Sequence, residues 1–169
     1  MNPPEIQKAL STMAIIVDSR EHETPEAVKR WNSFGVPWTR AKLDSGDYSA
    51  VFVLPGEQKW RVPCCIERKM SLSEICSNFC QNRQRFVNEF ERLKQSEERV
   101  YLLIEGASWE KAYAGRYRSN MLPQALIASL LAWSARYDAH IVFCHPDTTP
   151  KLIHDILYRE AKERLQSEF

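Results

Sequence analysis

Apolar residues fall into short runs over the first part of the chain and into helical stripes after it. Residues 13–18 (MAIIVD) form a short apolar run ending on an acidic residue, the pattern of a buried strand emerging from a sheet. A helix signature follows: Thr24 as cap, Pro25 as first helical residue, Glu26 in the first turn and Gly35 as the stop. Residues 36–43, 48–54 and 60–67 then read as three strands of a meander, separated by the turn-rich DSGD and PGEQ. From Ser73, the expected cap, Ile75, Phe79, Phe86, Phe90 and Leu93 recur at spacings of four, seven, four and three, which predicts one apolar stripe on a single long helix. Residues 100–106 are another strand, 120–137 a second strong helix, and 139–144 a further strand. The closing helix has Thr149 as cap and Pro150 in its first turn. Strands and helices alternate through this second half, so an α/β fold with parallel pairing and helical crossovers is expected there.

Composition narrows the picture. At 169 residues and 44% hydrophobic, the chain can bury one core but hardly two, so residues 13–169 are expected to form a single domain behind an N-terminal extension, 1–12. No run approaches the roughly 18 apolar residues of a membrane span, and the first dozen residues lack a signal-peptide pattern. Five cysteines, an odd number set beside apolar residues, fit free thiols in a reducing compartment. Cys76 and Cys80 share a helical face, but no second pair completes a metal site. The four histidines are scattered, and no Ser, His and Asp arrangement points to a hydrolytic triad.

Net charge is only +1, which does not announce a nucleic-acid binder, but its distribution is uneven. Between Lys59 and Lys94 there are eight Lys or Arg against four acidic residues, and residues 111–118 (KAYAGRYR) add three basic residues and no acid. The cluster is interleaved with Trp60, Phe86, Tyr113 and Tyr117. Two readings stand open: a solvated charged face, or a surface on which Arg83, Arg85, Arg116 and Arg118, with Arg20, contact DNA phosphates.

The candidate chemistry lies in charged residues at strand ends, in VDSRE (17–21), SGDY (45–48) and CIERK (65–69). Alternate residues of a strand face one side, so Glu67 and Lys69 project together while Arg68 points away. Phosphodiester hydrolysis uses such a set, because hard oxygen ligands must hold a divalent ion while water becomes a nucleophile beside the phosphate. Asp47 and Glu67 are the expected ligands of Mg²⁺ or Mn²⁺, and two protein carboxylates suffice when water and substrate complete the shell. Lys69 would orient the attacking water and offset charge on the phosphate, with Asp18 and Glu21 in support. Taken singly, a Glu beside a Lys is more often a surface ion pair, and Gly-Asp more often just a turn; it is their combination that is uncommon.

Together these motifs resemble the XPF-type nuclease domain, a branch of the restriction-endonuclease-like PD-(D/E)XK superfamily. The family pattern is Asp-x-Arg-Glu at a strand end, a Gly-Asp, then Glu-Arg-Lys followed after three residues by Asp. The chain carries Asp18, Arg20 and Glu21, then Gly46 and Asp47, then Glu67, Arg68 and Lys69. Arg85-Phe86 is similar to the Arg-aromatic step of the family helix and VYLLIEG to its next strand, so the resemblance runs from about Ile15 onward. It implies a restriction-endonuclease-like mixed central sheet flanked by helices, and a catalytic set of Asp18, Glu21, Asp47, Glu67, Arg68 and Lys69. The implied activity is that of a metal-dependent DNA endonuclease acting on branched or flap DNA during recombination or repair. Ser73, followed by Glu74, stands where the family has its final Asp. No tandem helix-hairpin-helix domain of the kind common in the family is expected, and branch specificity is expected to come from elsewhere.

The resemblance also implies a homodimer or heterodimer formed through nuclease domains, by the helix at 122–133 or the closing helix; core packing is the alternative for both. A bacterial or phage-infected cytoplasm is the expected setting, or the nucleus in a eukaryote. The rival function is a catalytically weak or silent DNA-binding subunit of a larger complex.

Overall fold

The computed structural model describes residues 1–167. In chain order the elements are α1 (Pro3–Leu10), β1 (Ala14–Asp18), α2 (Pro25–Asn32), β2 (Trp38–Ala41), β3 (Tyr48–Val53), β4 (Lys59–Arg61) and β5 (Cys64–Lys69). They continue with α3 (Leu72–Phe79), α4 (Arg83–Gln95), β6 (Arg99–Glu105), α5 (Trp109–Tyr113), α6 (Pro123–Tyr137), β7 (His140–Cys144) and α7 (Thr149–Ser167). Parallel and antiparallel pairs both occur and helices flank the strands, so the expected mixed α/β class is the one observed. The chain divides into two compact units, Met1–Cys65 with the segment from Thr149 onward, and Ile66–Thr148.

In the first unit β1 is the inner strand. It pairs in parallel with β2, from Ile15↔Trp38 to Asp18↔Ala41, and antiparallel with β3, from Ala14↔Val51 to Val17↔Tyr48. The expected meander is therefore corrected: β2 and β3 lie on opposite sides of β1, and only β3 and β4 form a hairpin. The strand expected over 60–67 is two strands, parted at Val62-Pro63, where proline removes a ladder donor. Ser49 Oγ bridges this break by donating to the carbonyl of Cys64 at 2.8 Å. Within residues 1–12 lies helix α1, capped by Asn2 and Glu5 in a capping box, with Ile6, Ala9 and Leu10 buried. It packs on β3 and α7, and α7 packs on β3 and α2. Helix α2 begins as expected, with the Thr24 hydroxyl accepting from the Ala27 N–H at 3.1 Å. Thr149, expected as the cap of α7, is instead its first helical residue and is fully buried.

In the second unit β6 and β7 are parallel, from Tyr101↔His140 to Glu105↔Cys144, with α5 and α6 between them, as the alternation predicts. The long helix is corrected: it breaks into α3 and α4, because Cys80 leaves helical geometry at φ −103°, ψ −84°. Its apolar period survives the break. Phe79 and Phe86 meet edge to face at 5.8 Å, Phe86 stacks on Trp133 at 5.4 Å, and Phe90 meets Tyr137 at 5.4 Å. These rings form the core between α3, α4 and α6. Helix α6 starts at Pro123, three residues after the expected Asn120, because a residue before proline is pushed to extended geometry and Leu122 sits at ψ 145°.

Residues Leu126, Ile127, Leu130, Trp133 and Tyr137 of α6, and Ile153, Leu157, Ala161 and Leu165 of α7, are buried within their own units. The apolar stripes of both helices are thus core faces, while Leu122 and Leu131 stay exposed. All five cysteines are free thiols. Among the described residues no helix is long and apolar enough to cross a membrane.

Candidate active site

The first unit gathers Asp18, Glu21 and Asp47 where β1 ends and β3 begins. The antiparallel register sets Val17 opposite Tyr48, so the next residue out on each strand is an aspartate, and the Asp18 N–H donates to the Asp47 carbonyl at 2.9 Å. Gly46 turns the chain into β3 with φ +77°, a conformation that favours glycine. Asp18 is 3% exposed. Its Oδ1 accepts from the Leu43 N–H at 3.0 Å, its Oδ2 accepts from Arg20 Nε at 2.5 Å, and the same guanidinium donates to the Leu43 carbonyl at 3.0 Å. Both oxygens of Asp18 are therefore engaged in fixing Arg20 and the chain before the Gly-Asp turn.

Arg40 braces the loop that follows β1, donating to the carbonyls of Ser19 at 2.9 Å and Glu21 at 2.6 Å. Tyr48, buried between these groups, accepts from Arg30 Nε at 3.1 Å. Burial chiefly raises its phenol pKa; nearby Arg30 lowers it, and the carboxylates of Asp47 and Glu21 raise it further. Glu21 and Asp47 thus both act electrostatically on one buried hydroxyl.

The second unit holds the Glu-Arg-Lys residues. Alternation along β5 sends Glu67 and Lys69 to one side, where Lys69 Nζ donates to Glu67 Oε1 at 2.5 Å and lies 5.3 Å from the centre of the Phe86 ring. Glu67 is 5% and Lys69 7% exposed, which rules out the solvated surface pair. Arg68 faces away and forms a fork with Glu105, the last residue of β6, at 2.8 and 2.9 Å. Glu105 carries no signal in the motif itself. An acidic residue closing the apolar run 100–104, with Arg68 pointing away from Glu67 and Lys69, is the available clue. The contributions of Phe86 as a platform for Lys69 and of the Leu43 backbone are legible only in three dimensions.

Ser73 does not cap α3. That role belongs to Ser71, whose hydroxyl accepts from the Glu74 N–H at 3.2 Å, while the Glu74 carboxylate accepts from the Met70 N–H at 2.7 Å. These two bonds start the helix two residues earlier than expected, and the Ser73 hydroxyl instead accepts from the Arg118 N–H at 2.9 Å.

Of the candidate DNA contacts, Arg20 is tied to Asp18 although half its side chain is exposed. Arg83 lies over the Trp133 ring at 5.5 Å. Arg85, Arg116 and Arg118 are exposed, and their guanidinium groups make no hydrogen bond or ion pair among the described residues.

Among the described residues no group of three or more His, Cys, Asp and Glu side chains could hold a metal ion on its own. The donor chemistry of Asp47 and Glu67 nevertheless suits Mg²⁺ or Mn²⁺, which take hard carboxylate oxygens and fill the remaining positions with water and phosphate. Asp18, with both oxygens occupied, fits a supporting role better than ligation.

The buried carboxylate–lysine pair of β5 and, in the first unit, the aspartates where β1 ends and β3 begins are each the kind of group that nucleases use, carried on a mixed α/β scaffold. The chain belongs to the ERCC4 domain family, whose model matches residues 17–155 and so covers every candidate residue. Among solved structures it is similar to XPF from Aeropyrum pernix, at 23% identity over 91% of this chain and 61% of that one, with a TM-score of 0.59. It is also similar to XPF from the same organism in complex with DNA, at 24% identity over 89% of this chain and 65% of that one, with a TM-score of 0.61. These likenesses establish the shared fold, and the chain spans under two thirds of the length of those relatives. No curated protein matches.

Proposed function

We infer that this chain is a DNA endonuclease that hydrolyses phosphodiester bonds with the help of a divalent cation, Mg²⁺ or Mn²⁺, in branched or flap DNA during recombination or repair. The observation that carries this is the buried Glu67–Lys69 pair within the Glu-Arg-Lys motif of an ERCC4 domain chain. Asp47 and Glu67 would hold the cation, which when bound supplies Lewis acidity and a more acidic water. Lys69, oriented by Glu67 and the Phe86 ring, offsets negative charge that grows on the phosphate as the bond breaks. Arg68 acts as a positioning residue, since its fork with Glu105 ties the strand bearing Glu67 and Lys69 to β6. Asp18 fixes Arg20 and the segment leading to Asp47, and Glu21 adds negative charge beside Tyr48. Arg20, Arg83, Arg85, Arg116 and Arg118 contact phosphates, so affinity falls steeply with salt. Pairing with a second nuclease domain belongs to the same proposal, with Leu122 and Leu131 as exposed apolar residues available to it.

A second reading, a catalytically silent DNA-binding subunit, is favoured by one observation: Ser73 stands in the position of the motif's last Asp and is hydrogen-bonded to the Arg118 backbone. Cleavage of flap, fork and four-way-junction DNA with Mg²⁺ or Mn²⁺ separates the two. Wild type should cut at least one substrate, chelation should abolish cutting, and Asp47→Ala and Lys69→Ala should each slow it about 100-fold or more. Absence of metal-dependent cleavage at protein concentrations that saturate the DNA would overturn the enzyme in favour of the silent subunit.

A further inference from the structure

A cleft of about 720 Å³ opens in the second unit between α3 and the segment leading into α6. That size lies within the range of roughly 300–1,000 Å³ typical of pockets for small ligands. Ser73, Ser77 and Gln81 line one wall, and Tyr117, Arg118 and Asn120 the other. The lining holds hydroxyls, carboxamides, one guanidinium and an aromatic ring, and no carboxylate. An acidic ligand would therefore meet no repulsion there, and a nucleobase would meet both donors and acceptors.

The cleft is built rather than incidental. Its loop wall is pinned by the Arg118 N–H donating to Ser73 Oγ at 2.9 Å, the Tyr117 hydroxyl donating to the Met121 carbonyl at 2.8 Å, and the Met121 N–H donating to Ser119 Oγ at 3.1 Å. Gly115 starts this wall at φ +66°, and a Cβ there would lie 3.2 Å from Pro123 Cγ. Three wall hydrogen bonds spend backbone and hydroxyl groups, yet the Arg118 guanidinium and the Asn120 carboxamide make no hydrogen bond among the described residues. Chain connection adds position, because α3 begins three residues after Lys69.

We propose that this cleft receives one unpaired nucleotide of the DNA, its base against Tyr117 and the carboxamides and its phosphate on Arg118. The inference rests on the endonuclease reading for its choice of ligand, and it gives the domain its own means of recognising an unpaired arm. A paired base has its faces in the stack and its Watson–Crick edge in the pair, so it cannot enter the cleft and duplex DNA contacts only the outer cations.

Equilibrium binding with chelator present tests this without cutting. The probes are a fork carrying an unpaired arm with 2-aminopurine at successive positions, and a blunt duplex of the same length. Wild type should bind the fork about tenfold or more tightly than the duplex, in line with stacking on one aromatic side chain. One arm position should show a fluorescence change. Arg118→Ala and Asn120→Ala, both surface changes, should shrink the preference to within about threefold, and Ser77→Trp, which fills the cleft, should abolish the positional signal. Equal wild-type affinity for fork and duplex overturns the proposal, as does a preference left intact in Arg118→Ala and Asn120→Ala. Neither result touches the endonuclease reading, which stands or falls on metal-dependent cleavage.

Discussion

The pair most exposed to a decisive test is the Arg68–Glu105 fork. With side chains 12% and 5% exposed and contacts of 2.8 and 2.9 Å, it is a buried bidentate ion pair. At that separation and an effective dielectric of about 20, the attraction is about 6 kcal/mol, most of it offset by the cost of taking both charges out of water. Truncating one partner removes the attraction and leaves the other charge desolvated. Glu105→Ala should therefore destabilise the protein by about 3–5 kcal/mol. Replacing both residues, as in Arg68→Met with Glu105→Leu, deletes the desolvation penalty along with the attraction and should recover most of that loss. Urea unfolding followed by circular dichroism gives the measurement: with a slope of about 2 kcal/mol per molar, the midpoint of Glu105→Ala should fall by about 2 M. A loss under about 1 kcal/mol, or a double variant no more stable than Glu105→Ala, would show that the fork does not tie β5 to β6 as argued.

Three further outcomes follow from local geometry and burial. Ser71→Ala should cost about 1 kcal/mol by uncapping α3, whereas Ser73→Ala should leave helix stability nearly unchanged and speed amide hydrogen exchange at Arg118; equal effects on the helix would reinstate Ser73 as the cap. Burial pushes the Cys76 thiol above its ordinary 9.0, partly countered by a hydrogen bond with Ser119, so iodoacetamide at pH 8 should label exposed Cys80 well before Cys76. The folded thiol keeps its proton where the unfolded thiol has lost it, so stability should fall as pH rises past about 9, and less so in Cys76→Ala.

Sequence alone determined the elements whose causes are local. Thr24 and Pro25 start α2, strand alternation sets Glu67 and Lys69 on one side with Arg68 on the other, and the strand–helix–strand alternation after Ser73 yields the parallel β6–β7 pair. The motif order around Asp18, Asp47 and Glu67 likewise carries the family resemblance. Tertiary structure decided what depends on partners distant in the chain. A single strand pattern does not say which neighbour it will pair with, so the meander gave way to β1 lying between β2 and β3. A spacing of seven between Phe79 and Phe86 is close to two helical turns, so the same apolar face accommodates a break at Cys80 as readily as a continuous helix. Glu105 as the partner of Arg68, and Ser73 as the anchor of the Arg118 loop, join residues 37 and 45 positions apart, and only folding brings them together.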